Sequence, residues 1–237
     1  MIRLQFLFNY PEILNMNPTE FTESYKYPML TSWAEPLQNE YNQVVKRAFD
    51  LFFSFLIVLF IMSWLIPIIA LLIKMDSKGP VFFKQARSGK NNRPFVCYKF
   101  RSMYINDQAD CKQATWNDVR LTRIGKFLRR TSLDELPQFF NVLRNDMSII
   151  GPRPHMLVHT EKYKMLLNNY MVRHLIKPGI TGWAQVSGFR GETKVLSEME
   201  KRIQHDVYYL ENWSFIFDLK IVLLTVRILL RRDDKAY

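Results

Sequence analysis

FDLFFSFLIVLFIMSWLIPIIALLI, residues 49–73, decides the fold. Only Asp50, Ser54 and Ser63 interrupt its apolar side chains. As one helix the run rises about 37 Å, more than a hydrocarbon core of about 30 Å. A spanning helix is the simple reading, and the flanks oppose it. Positive charge marks the cytoplasmic side of a membrane. Here Lys46 and Arg47 precede the run, and Lys74, Lys78, Lys84, Arg87 and Lys90 follow it. Near the middle lie Ser63 and Pro67. Proline removes a backbone donor, and a nearby hydroxyl can satisfy the carbonyl that a break frees. A helix that enters, bends and leaves on one face suits both flanks. On pattern alone the re-entrant, spanning and buried-core readings all stand.

Residues 1–43 are aromatic and polar, with Pro11, Pro18, Pro28 and Pro36 and no sustained period. They read as an irregular N-terminal extension, without the apolar core or cleavage site of a signal peptide. The membrane helix is assigned to residues 44–75, and a mixed domain to 76–232. Within that domain, GPVFFKQARSGKNNRPFVCYKF (79–100) reads as a β-hairpin around Gly-Lys-Asn-Asn. RLTRIGKFLRR (120–130), DELPQFFNVLRN (134–145), TEKYKMLLNNYMVRHLI (160–176) and residues 196–212 carry helical spacing. The end, WSFIFDLKIVLLTVRILLRR (213–232), is apolar but holds Asp218, Lys220, Arg227, Arg231 and Arg232. Charges at those depths are costly in a spanning helix, so an interfacial helix fits better. A helix packed on the domain is the alternative. The fold class is α+β, mostly helical, with a small hairpin and interfacial amphipathic helices.

Among 237 residues, 33 Lys and Arg face 22 Asp and Glu, a net charge of +11. Such a charge favours polyanions: nucleic acid, anionic headgroups or phosphorylated small molecules. The two cysteines, Cys97 and Cys111, make no disulfide framework and no zinc spacing, and suit a reducing cytoplasm. The absence of any nucleic-acid motif argues against that partner.

Chemistry concentrates around Thr131-Ser132-Leu133-Asp134-Glu135-Leu136-Pro137. Ser132 and Glu135 have the spacing of a capping box, a purely structural device. Pro137 is tolerated best in a first turn, which would put the acidic pair at the helix mouth. An ionised Asp134 there is a competent nucleophile toward phosphorus, and Glu135 could hold a divalent cation. Lys99, Arg101, Arg129, Arg130, Arg153 and Arg190 surround the pair in sequence. Arginine suits bidentate phosphate contact, and prolines on both sides stiffen Arg153. Pro178-Gly179-Ile180-Thr181-Gly182-Trp183 is a compact turn whose indole could stack on a base or sugar.

KRAFD (46–50), GPVFFKQARSG, YKFRSM, DVRLTRIGKFLRRTSLDELPQFFNVLRNDMSIIGPRPH, KPGITGWAQVSGFRGET and DVYYLENWSFIFDLKIVLLT follow one another in the order of a known family. Together they resemble the small monotopic phosphoglycosyl transferases, the bacterial sugar transferase family. GPRPH with SGFRGET is most similar to its undecaprenyl-phosphate glucose or galactose branch, which starts exopolysaccharide repeats. The resemblance implies a catalytic domain over residues 76–232 and a re-entrant helix-break-helix at the cytoplasmic face of the bacterial inner membrane. It implies Asp134 as a nucleophile on the phosphorus of a UDP-sugar, UMP release, and transfer from an aspartyl phosphosugar to undecaprenyl phosphate. Glu135 would bind Mg²⁺, and Lys99, Arg101, Arg129, Arg153, Arg190 and Asp206 would contact phosphate or sugar. Membrane lipids are implied as partners, and a homodimer is left open. Members carry Ser-Pro at the break, whereas here Pro67 follows Ser63 by one turn. A non-catalytic basic protein of the membrane surface is the other reading, and it gives no reason for the acidic pair.

Overall fold

The computed structural model describes residues 36–107, 109, 112–115, 118–193 and 195–230. Most of the N-terminal extension, Cys111, Arg231 and Arg232 lie outside the described residues. Asn39 opens the first helix, its Oδ1 accepting from the Tyr41 amide at 2.9 Å. Helix therefore begins four positions earlier than expected, within the stretch read as irregular. It runs on from Glu40 to Asp76 as α1 (Glu40–Leu56), a π-helical segment (Ile57–Met62) and α2 (Ser63–Asp76).

The run does not break at Ser63 and Pro67. Met62 (φ −73°, ψ −26°) and Ser63 (φ −56°, ψ −40°) keep helical dihedrals. The winding widens instead, so that the Ser63 amide reaches Val58 O. Ser63 Oγ donates to Leu59 O at 2.6 Å and Trp64 Nε1 to Phe60 O at 2.8 Å. Both cover carbonyls of the π-helical segment, about two turns before Pro67, and π-bulges and prolines are sites where helices kink. Lys46, Asp50, Ser54, Met62, Ile69 and Ile73 are buried, whereas Phe52, Phe60 and Leu71 are 66%, 65% and 61% exposed. That outer face is left uncovered by the described residues, which argues against the buried-core reading.

Polar contacts lock α1 to the body. Lys46 Nζ meets Asp218 Oδ2 at 2.8 Å, and Asp218 also accepts from Tyr209 OH at 2.6 Å and Trp213 Nε1 at 3.1 Å. Asp50 Oδ1 accepts from Ser148 Oγ and the Ile149 amide. At the far end, Asp76 Oδ2 accepts from the Ile124 amide at 2.9 Å. Both ends of the apolar stretch are thus fastened to one domain.

The hairpin forms as expected. β1 (Phe82–Ser88) pairs antiparallel with β2 (Pro94–Phe100), with Phe83 opposite Lys99 and Gln85 opposite Cys97. Asn91 and Asn92 take left-handed dihedrals in its turn, which asparagine tolerates better than most residues. Next come α3 (Arg123–Arg130), a 3₁₀ turn (Leu133–Glu135) and α4 (Gln138–Leu143). A second sheet, not anticipated, pairs β3 (Ser148–Ile150) parallel with β4 (Gly179–Thr181). The single helix expected over 160–176 is two pieces, α5 (Leu157–Leu166) and a 3₁₀ turn (Tyr170–His174). Leu167 is extended (φ −135°, ψ 113°) just before Asn168 and Asn169, whose side chains compete for backbone hydrogen bonds.

The chain ends with α6 (Trp183–Val186), α7 (Leu196–Glu211) and α8 (Phe215–Leu230). Tyr170, Tyr209, Met147, Ile150, Met171 and Met199 belong to the main core. In α8, Ile221 is buried while Ile216, Leu219, Leu223, Val226 and Leu230 form an exposed apolar stripe. Asp218 does not sit in that stripe, because its charge is neutralised in the buried cluster with Lys46.

Candidate active site

The hairpin, α3, the 3₁₀ turn and the Gly-Pro-Arg-Pro segment enclose a cavity of about 360 Å³. Lys99, Arg129, Asp134, Glu135, Arg153 and Arg190 all line it. Lys99 comes from β2, whose alternation also turns Cys97 and Phe95 to that face. Arg129 comes from the last turn of α3 and donates from Nε to Ser102 Oγ at 2.9 Å. The capping box does not form. Ser132 is left-handed (φ 58°) and makes no cap; its Oγ instead accepts from Arg190 NH2 at 2.6 Å. Pro137 stands immediately before α4, which places the acidic pair ahead of that helix.

The two carboxylates are treated differently. Glu135 Oε1 lies 2.7 Å from Lys99 Nζ and 2.6 Å from Arg153 NH2, and Oε2 accepts from Arg153 NH1 at 3.2 Å. Burial pushes its pKa up, but Arg153 and Lys99 prevail and hold it well below the usual carboxylate range. Asp134 faces the cavity and has no hydrogen-bond or ion-pair partner among the described residues. Burial pushes its pKa up, only partly offset by Lys99.

Arg153 is held from behind. The Gly151 amide donates to Thr181 O and the Gly179 amide to Pro152 O, each at 2.9 Å. A Cβ on Gly179 would stand 2.1 Å from Gly151 N, so the two loops touch backbone to backbone. Arg173 NH2 donates to Arg153 O at 2.8 Å and lies 2.9 Å from Asp206 Oδ2, off the line of an N–H bond. Asp206 is therefore in the layer behind the cavity and does not line it. Arg101 borders the cavity, but its guanidinium donates to Lys78 O at 2.5 Å and Ser77 O at 2.7 Å, capping the end of α2. Trp183 packs on Phe217, with ring centroids 5.1 Å apart, and lies outside the cavity.

Sequence reading missed Ser102, Ser132 as an arginine partner, and Arg173. Arg173 carries no signal, since it sits in what reads as a helix face. Gln85 and Arg87 also line the cavity, and the alternation of β1 could have placed them with Lys99.

No group of three metal-ligating side chains occurs among the described residues. The donors nevertheless fit Mg²⁺, which prefers hard oxygens and takes one or two carboxylates with substrate phosphates and water. Glu135 Oε2 has a single contact, and Asp134 is adjacent. An unengaged carboxylate among fixed cations can attack phosphorus while the cations hold phosphate oxygens.

A family model described as bacterial sugar transferase matches residues 41–232. The chain is 49% identical over 220 residues to a UDP-glucose:undecaprenyl-phosphate glucose-1-phosphate transferase of Escherichia coli (strain K12), covering 91% of this chain and 47% of the relative. A protein of the same description from Xanthomonas campestris pv. campestris is 57% identical over 164 residues, 68% of this chain and 34% of its own length. An exopolysaccharide production protein PSS of Rhizobium leguminosarum bv. phaseoli is 46% identical over 188 residues, 77% of this chain and 94% of the relative. The chain thus spans less than half the length of the two glucose-1-phosphate transferases.

Proposed function

Because the chain belongs to the bacterial sugar transferase family over residues 41–232, we propose that it moves a hexose-1-phosphate from a UDP-sugar to undecaprenyl phosphate. Glucose is the first candidate, as in the names of the relatives, and galactose the second. The product would initiate an exopolysaccharide or related glycan.

In the first step an Asp134 oxygen bonds to the sugar-linked phosphorus. The bond from that phosphorus to the UMP oxygen breaks, and UMP leaves with the electron pair. In the second step an oxygen of undecaprenyl phosphate bonds to the same phosphorus. The Asp134 O–P bond breaks and the carboxylate is restored. Arg153 and Lys99 hold Glu135 ionised, and with Arg129 and Arg190 they offer charge to the phosphates. Mg²⁺ held by Glu135 and the substrate phosphates would neutralise diphosphate charge.

The apolar outer faces of the Glu40–Asp76 stretch and of α8 support monotopic attachment at the cytoplasmic face of the inner membrane. That the stretch is re-entrant, with any bend at the π-helical segment Ile57–Met62, rests on its two basic flanks and on the fastening of both ends to one domain.

One observation carries the reading: Asp134 is buried, unpartnered and turned into a cationic cavity, beside a carboxylate that takes the cations. The test is UMP release in detergent with UDP-glucose, undecaprenyl phosphate and Mg²⁺. Wild type should release UMP and Asp134→Asn should lose nearly all of it. Full turnover in that variant would refute the assignment, and a panel of UDP-sugars identifies the hexose.

A further inference from the structure

The cavity lining is of two kinds. Beside its charged residues stand Pro80, Phe82, Met103, Tyr104 and Ile105, close together in sequence or across the hairpin and all of them apolar or aromatic. Tyr104 is 51% and Ile105 71% exposed. Single exposed hydrophobes are ordinary, but a contiguous apolar patch at the edge of a binding cavity marks a surface for an apolar partner.

The structure ties this rim to the membrane-facing stretch. Arg101, three residues before Tyr104, grips the carbonyls of Ser77 and Lys78 at the end of α2. A Cβ on Gly79 would lie 2.7 Å from Ile105 Cδ1, so the rim lies directly against the chain leaving α2. The final turns of α2 expose Leu71 and Met75. On the other side, Ser102 Oγ accepts from Arg129 Nε, and Asp76 holds the first turn of α3. An apolar surface therefore continues from α2 across Ile105 and Tyr104 to the cavity that Arg129 and Asp134 line, with Arg129 tied to the same segment through Ser102.

We propose that this rim seats the first isoprenoid units of the acceptor lipid, delivering its phosphate past Arg129 to the Asp134-linked phosphosugar. The inference rests on the function proposed above and names the place where that function takes its lipid. A prenyl phosphate has the required form, a hydrocarbon stem with a charge at one end. The rim matches the stem, and the cations behind it match the charge. UDP-sugar carries no hydrocarbon chain, so it does not match an apolar surface that continues to the membrane-facing end of α2.

The two half-reactions separate the possibilities. Full chain in lipid nanodiscs is mixed with UDP-glucose and Mg²⁺ alone, and the stoichiometric burst of UMP is measured. Turnover is then followed against the mole fraction of undecaprenyl phosphate. For Ile105→Ser and Tyr104→Ser the burst should match wild type. The acceptor KM should rise about tenfold, as expected for losing one well-buried apolar contact. Ile105→Leu should restore it, and binding of the variants to empty vesicles should equal that of wild type.

A normal burst with an unchanged acceptor KM overturns the inference and leaves the proposed function standing. A KM rise matched by lost vesicle binding also overturns it, by making the rim a general anchor. A burst lost in both serine variants overturns it as well, since the rim would then serve the first step. No burst in wild type that still turns over with acceptor would overturn the aspartyl intermediate, and this inference with it; no turnover at all would overturn the proposed function itself.

Discussion

Asp134→Asn and Glu135→Gln are matched perturbations with opposite expected signs. Each removes one charge from neighbouring buried residues and keeps side-chain shape. Glu135 is the counter-ion of two cations, at 2.7 Å from Lys99 and 2.6 Å from Arg153. Removing one partner of a buried pair leaves the others uncompensated, at about 3–5 kcal/mol. The side chains of Lys99 and Arg153 are 18% and 27% exposed, so cavity water recovers part of that loss. A value of about 3 kcal/mol is expected, a large fraction of a native stability of about 5–15 kcal/mol. Asp134 has no such partner. Burial raises its pKa, so the folded state holds its proton more tightly than the unfolded chain does. Ionising it weakens the fold as pH climbs through that raised value. Asn at 134 should then stabilise the ligand-free protein by about 1 kcal/mol at neutral pH.

For a chain of this size those values correspond to a fall in Tm of about 6–12 °C for Glu135→Gln and a rise of about 2–4 °C for Asp134→Asn. The assay is thermal unfolding in detergent without nucleotide or divalent cation, repeated across pH. The sign for Glu135 is the reverse of that for Asp134. Its pKa is depressed, so its stabilisation is present above the unfolded value and lost as pH falls through the folded one. An Asp134→Asn protein that melts well below wild type would refute the reasoning, since its carboxylate would then be making contacts the structure does not contain.

The remaining predictions concern catalysis, support and topology. In the proposed first half-reaction Asp134 attacks as the ionised carboxylate, so the acid limb of that step should lie above the usual aspartate value of about 3.9; a limb at or below that value contradicts the burial of Asp134. Asp206→Ala should destabilise by about 3–5 kcal/mol, because Arg173 and Asp206 side chains are only 1% and 3% exposed. Arg173→Met combined with Asp206→Leu should recover much of the denaturation midpoint but not turnover, since Arg153 O still lacks its donor. For topology, single cysteines at Tyr41 and Lys78, with Cys97 and Cys111 replaced by Ser, should label from the same side of intact vesicles. Labelling from opposite sides would establish a spanning helix.

What was legible in the sequence was what local pattern determines. The hairpin follows from alternation around Gly-Lys-Asn-Asn, α3 and α7 from their helical patterns, and α8 from its long apolar run. The cationic residues converge from different elements, Lys99 from β2, Arg129 from α3 and Arg153 from a segment stiffened by prolines on both sides, and only the last of these was marked by local sequence. The β3–β4 pair was not legible, since three residues carry no period and their partners lie 31 positions apart, as in Ser148 with Gly179. Asp218 misled in a different way. Its charge suggested an exposed interfacial position, yet it is fully buried because Lys46, far away in sequence, neutralises it. Asp206 was assigned to the site and belongs to its support, because sequence order gives no depth.

Adjacent acidic residues usually raise each other's pKa and share their surroundings. Here a 3₁₀ turn separates them. With three residues per turn, consecutive side chains diverge by about 120°. Asp134 consequently turns to the cavity while Glu135 turns toward Lys99 and Arg153. The left-handed Ser132 starts that turn immediately after α3, and Arg190 fixes it through the Ser132 hydroxyl. Had the capping box formed, Ser132 Oγ would have faced the Glu135 amide and been lost to Arg190. Arg153 and Lys99 keep Glu135 charged, and the backbone turn is what presents it to them while leaving Asp134 free; Arg190 steadies that turn through Ser132 and adds to the positive field on Glu135.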